Sequence, residues 1–211
     1  MQRLCDWHYE QLIYIDESAA NERSLDRKYG WSTKGTPARL ISSAKRSAKW
    51  SILPVYTYDG FIAWDIIRGS YNSHLFVNFV REKVIPFTNP FPGPRSVLIM
   101  DNAAIHHHPV SNIVLFESLL IPQDLEAICQ EAGVILAYLP PYSPDLNPIE
   151  EAFAQLKAWF KKNYKLAEVM PFDDFLSMGL ECVKDSAKNH FARSRIGVPI
   201  RDGDDEDYYY D

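Results

Sequence analysis

Apolar and polar residues alternate in some stretches of the chain, run unbroken in others, and recur every three to four positions in the rest. Each pattern predicts a different element. In "QLIYIDES", Leu12, Tyr14 and Asp16 fall on one face and Ile13 and Ile15 on the other, which predicts a strand that exits at an acid. "WSILPVYTYDGFIAWDIIRGS" predicts two apolar strands joined at Asp59-Gly60, a strong hairpin signal. From Ser73 the spacing of Leu75, Phe76, Phe79, Val80 and Val84 is helical, and "NPFPGP" is a stiff loop leading onward. "SVLIMD" is apolar from Val97 to Met100, as in a central strand covered on both faces, and it too exits at an acid, Asp101. "DLEAICQEAG" predicts a short helix between Asp124 and Gly133, and "VILAYL" another buried strand.

The segment "YLPPYSPDLNPIEEAFAQLK" then places four prolines within the eleven residues 138–148 and turns at once into a helix. Asn147 suits the N-cap, Pro148 the first helical position, and Glu150 the place of a capping-box acid. Ile149, Phe153, Leu156 and Phe160 form the apolar stripe of this helix, and further helix is predicted from about Phe172 to Phe191. Early strands, a crossover helix, then strand and helices predict an α/β fold, a mixed sheet with helices on both sides.

Composition narrows the class. With 211 residues and 46% hydrophobic content, the chain can bury a full core. One domain over residues 1–200 and an acidic, disordered tail over 201–211 are expected. There is no apolar run of membrane-spanning length, and the first residues have neither the basic opening nor the apolar stretch of a signal peptide, so an intracellular protein without a membrane partner is expected. Cys5, Cys129 and Cys182 have no disulfide or zinc spacing. The net charge of −6 argues against a nucleic-acid partner only superficially: six of the 28 acids lie in "DGDDEDYYYD", and residues 1–201 balance at 22 acidic and 22 basic. Lys34, Arg39, Lys45 and Arg46 make one basic stretch, in which Trp31 reads as a packing anchor or as a contact to DNA or a second copy.

Three acids stand at comparable places: Asp16 and Asp101 at strand exits and Glu150 in a first helical turn. Each alone suits a turn or a cap. Together, beyond the carboxyl ends of neighbouring strands where α/β sheets bind ligands, they suit a hard divalent cation. The proline-rich approach would then hold Glu150 at a fixed distance from the strand ends.

The words around these acids, "YIDES", "IMDNAAIHH" and "LPPYSPDLNPIE", resemble in order the catalytic domain of mariner-like transposases, a group of DDE-superfamily endonucleases. The resemblance runs from about Leu12 to Tyr164, with a fainter continuation in "KNHFARSRIG". It implies an RNase H-like fold and an Asp, Asp, Glu triad that holds two Mg²⁺ (or Mn²⁺) ions and cuts and joins DNA. That triad falls on Asp16, Asp101 and Glu150, and the match to "NPIE" selects Glu150 over Glu151. Asn102, His106 and His107 would form a polar layer behind the acids or approach a phosphate. Lys157 and Lys161 continue the Glu150 face of the helix and would contact DNA phosphates, with Lys34, Arg39, Lys45 and Arg46. The implied partners are DNA and a second copy of the chain in a homodimer, with no small-molecule cofactor. The implied location is the nucleus in a eukaryote and the cytoplasm otherwise.

The chain departs from the family in two ways. Its first residues lie almost at the first catalytic strand, so the helix-turn-helix modules that recognise transposon ends are expected to be absent. A catalytically silent fragment acting as a nucleic-acid-binding or interaction domain is therefore an alternative, as is an RNase H-like hydrolase of RNA–DNA hybrids. Forty-eight residues also separate Asp101 from Glu150, and without the fourteen from Val110 to Gln123 the spacing would be 34, as in many relatives. Codons for Val110-Ser111 and Gln123 can carry splice boundaries, so this segment is either a translated intron or a true surface insertion.

Overall fold

The computed structural model describes residues 6–21, 30–39, 48–101, 124–140, 143–183 and 186–194. Its element order is β1 (Leu12–Ile15), β2 (Ser18–Ala20), β3 (Trp50–Thr57), β4 (Gly60–Arg68), α1 (Ser73–Phe79), β5 (Val97–Met100), α2 (124–131), β6 (Ile135–Tyr138), α3 (Pro148–Lys162), α4 (Phe172–Val183) and α5 (Ala187–Ser194). The six strands form one sheet in the order β2-β3-β1-β5-β6, with β4 on β3.

β1 and β2 are in effect one strand. Both run antiparallel to β3 in a single register, Ile15 opposite Val55 and Ser18 opposite Ile52. The ladder lapses at Asp16 and Glu17, opposite Pro54 and Leu53, and Pro54 has no N–H to offer a neighbour on either side. β3 turns into β4 through Tyr58-Asp59, with Gly60 at φ 103°, so the expected hairpin is present. On the other side of β1, strands β5 and β6 run parallel to it, with Ile15 beside Met100 and Met100 beside Tyr138.

Alternation sorts the core into two layers. Leu12, Tyr14, Val97 and Ile99 pack with Ile149, Phe153, Leu156 and Phe160 of α3, with Phe175 and Leu180 of α4, and with Phe191 of α5. Ile13, Ile15, Leu98 and Met100 pack with Val77 and Phe79 of α1 and with Leu125, Ile128 and Cys129 of α2. β1 and β5 are buried at every position, as unbroken apolar strands between two helical layers must be. This is the mixed sheet flanked by helices on both faces that the sequence predicts.

Several expectations change. β6 is half-exposed rather than buried, because it lies at the end of the sheet order. Trp31 does not anchor the core; it is 103% exposed. The helix expected over Phe172 to Phe191 is two helices. The second swings so that His190 and Phe191 reach Tyr56 and Tyr14: Tyr56 Oη and His190 Nδ1 share a buried hydrogen bond of 2.6 Å, and the Phe191 ring meets Tyr14 edge-on at 5.6 Å. Among the described residues no helix is long and apolar enough to cross a membrane. Cys129 is buried and Cys182 exposed. The Val110–Gln123 segment, Cys5 and the 201–211 tail lie outside the described residues.

α4 lies tightly on α3 at Gly179. A Cβ there would stand 2.5 Å from Phe160 Cε1, 3.0 Å from Leu156 Cδ1 and 3.1 Å from Trp159 Cε3. Gly→Ala in an open helix stabilises by ~1 kcal/mol. Gly179→Ala is expected to reverse that sign and lower stability by about 1–3 kcal/mol through overpacking, read from urea unfolding curves.

Candidate active site

Register decides where the first two acids stand. Ile15 is paired with Met100 on adjacent parallel strands, so the next residues, Asp16 and Asp101, leave the sheet side by side. Such strands are about 4.8 Å apart. By strand alternation Asp16 belongs with Leu12 and Tyr14, and Asp101 with Val97 and Ile99, the set that faces α3. β6 ends at the same level, and the chain passes through Pro140 and Pro144 into α3, whose first turn holds Glu150. Three elements thus bring the three acids to one end of the sheet.

The electrostatics agree. The Asp16 carboxyl is pushed up to about 7, first by burial, next by the Glu150 charge, and further by Asp101; the Glu17 N–H and the Asn147 side chain pull the other way. Asp16 Oδ1 accepts from the Glu17 amide at 2.7 Å, and Oδ2 accepts from Asn147 Nδ2 at 3.2 Å. Among the described residues no three His, Cys, Asp or Glu side chains stand close enough to hold a metal ion. Like charges repel, and Glu150 is exposed and lacks the capping-box contact expected of it.

The donors nonetheless fit a hard divalent ion. All three are carboxylates, and the shift at Asp16 marks negative charge crowded into a partly desolvated place, which a cation would relieve.

Glu150 and its neighbour are treated differently by the fold. Glu151 is half-buried and accepts from Arg193 Nη1 of α5 at 2.9 Å. Glu150 remains on the exposed face that continues through Ala154, Lys157 and Lys161. Lys157 Nζ sits 5.9 Å from the centre of the Phe153 ring, so its stem lies along the helix while its charge stays in water. Lys34 and Arg39 are exposed in the segment 30–39; Lys45 and Arg46, like Asn102, His106 and His107, lie outside the described residues.

Sequence reasoning missed two participants. Asn147 was expected to cap α3, yet its side chain makes no cap bond; the Glu150 amide bonds to the Asn147 carbonyl at 3.1 Å instead. Arg193 gave no local signal, since its partner is 42 positions away.

A family model described as DDE superfamily endonuclease matches residues 11–170. Among solved structures, the mariner Mos1 paired end complex with Mg aligns over 86% of this chain and 53% of that chain, at 16% identity and TM-score 0.49. The Mos1 transposase paired-end complex with left transposon end aligns over 88% and 56%, at 16% identity and TM-score 0.47. The catalytic domain of Mos1 mariner transposase aligns over 89% and 84%, at 11% identity and TM-score 0.41. The chain therefore spans little more than half the length of the chains in the two paired-end complexes. No curated protein matches it significantly.

Proposed function

The chain belongs to the DDE superfamily of endonucleases, and from that premise we propose that its site cuts DNA strands by metal-dependent phosphoryl transfer, with Asp16, Asp101 and Glu150 as the acids that hold the metal. The observation that carries the reading is the pairing of Ile15 with Met100, which sets Asp16 and Asp101 side by side on the face covered by α3. An all-carboxylate set favours Mg²⁺ or Mn²⁺ over softer ions. Two such ions, when bound, activate an attacking oxygen and stabilise the leaving one in an in-line displacement at phosphorus.

The rest of the work falls to this chain's own side chains. Lys157 and Lys161, on the Glu150 face of α3, offer charge to phosphates running away from the site, and Lys34 and Arg39 offer more. With a hydroxyl at a cut DNA end as the attacking group in place of water, the same displacement joins strands. The reading also takes in a second copy of the chain, for which the fully exposed Trp31 offers an apolar contact, and places the activity where DNA is, in the nucleus of a eukaryotic cell.

Calorimetric titration of Mn²⁺ into the whole chain tests the metal assignment. Binding is expected in the wild type and is expected to be lost in Asp101→Asn, which removes one charge and one strong oxygen ligand. Equal affinity in the two proteins would overturn the assignment.

A further inference from the structure

Asn147 is 5% exposed and stands immediately before α3, where an asparagine ordinarily turns its side-chain oxygen onto the helix's first amides. It makes no such bond here. Its Nδ2 instead donates to Asp16 Oδ2 at 3.2 Å, across 131 positions of sequence, and its Oδ1 is buried with no hydrogen-bond partner among the described residues. A residue well suited to local capping has been diverted to a distant carboxylate. The helix start is held by other means: Pro148 at the first position, and the backbone bonds from the Asn147 amide to Pro144 and from the Glu150 amide to Asn147.

We propose that Asn147 is a positioning residue: its carboxamide ties the Asp16 carboxylate to the first turn of α3 and thereby fixes the first and third acids of the site relative to each other. The inference rests on the reading of Asp16 and Glu150 as site acids. The chemistry is specific to an amide. The donor must be neutral, because a cation there would compete with a metal for Asp16, and it must reach beyond the span of a serine hydroxyl. Two residues separate Asn147 from Glu150 along a rigid helical turn, so holding Asp16 at Asn147 sets a short and stiff path between the two carboxylates. Neighbours of this kind, which orient a ligand without touching the metal, commonly change metal affinity by about 10–100-fold.

The test uses the whole chain and two readouts. In the first, Mn²⁺ affinity is measured for the wild type, Asn147→Ser and Asn147→Ala. Serine caps a helix as well as asparagine does but is too short to reach Asp16. Asn147→Ser should therefore melt near the wild type yet bind Mn²⁺ about tenfold or more weakly, as should Asn147→Ala. In the second, unfolding in a chelator is followed for Asp16→Ala, Asn147→Ala and the double variant, and the two sites should be non-additive. Wild-type Mn²⁺ affinity retained by Asn147→Ser would overturn the inference and leave the proposed function standing. If the wild type itself fails to bind Mn²⁺, the proposed function fails, and the metal-free cycle judges the tie alone: additivity refutes it and coupling upholds it.

Discussion

Glu150→Gln is expected to lower divalent-metal-dependent nicking of DNA by more than about 100-fold, whereas Glu151→Gln keeps it within about threefold. The two side chains differ by about 100° around the helix, and the fold has already committed one of them. Glu151 is bound to Arg193 of α5 at 2.9 Å on the side where α5 packs, while Glu150 is exposed and close enough to Asp16 to raise its pKa. Glutamine keeps the size and the helix propensity at either position, so the loss at 150 would be a loss of charge and not of structure. Losing the ion pair at 151 removes a largely exposed contact, worth about 1 kcal/mol or less. The opposite ranking, with 151 essential and 150 dispensable, would reassign the third acid.

In metal-free solution, Asp16→Asn is expected to be more stable than the wild type at pH 8 and to lose that advantage at pH 3. The Asp16 carboxyl is raised from 3.8 to about 7 in the folded chain, by burial first and by Glu150 second. The folded state therefore holds its proton more firmly than the unfolded state does. The stability that this provides is fully present below 3.8 and is lost as pH rises through about 7. Asparagine has no proton to lose, so the difference between the proteins should open across that window and reach on the order of 4 kcal/mol above it. Urea unfolding in a chelator at pH 3, 5 and 8 measures it. A difference that does not change with pH would mean that Asp16 is neither desolvated nor crowded by the other acids.

What could be read from the sequence was whatever a short window contains. The alternation that predicted β1, the unbroken apolar run of β5, the Asp59-Gly60 turn and the stripe from Ile149 to Phe160 are local patterns, and each formed the element expected of it. The contacts of α5 were not legible: His190 and Phe191 meet Tyr56 and Tyr14, on two strands far back in the chain. The half-exposure of β6 follows from its place at the sheet edge, which depends on the order of strands and not on its own residues. The candidate site divides in the same way. Its three acids were visible because each ends an element, but the diversion of Asn147 to Asp16 and the capture of Glu151 by Arg193 are long-range bonds. Local rules pointed the other way for Asn147, since capping is the usual use of that residue in that position.

If these acids make a phosphoryl-transfer site, the purified chain nicks supercoiled plasmid DNA. Conversion of supercoiled to open-circular DNA is expected with Mg²⁺ or Mn²⁺, to stop on addition of a chelator, and to be absent in Glu150→Gln at equal protein concentration. Nicking that persists in the chelator or in Glu150→Gln, or no nicking by the wild type at any divalent-ion concentration, would contradict it.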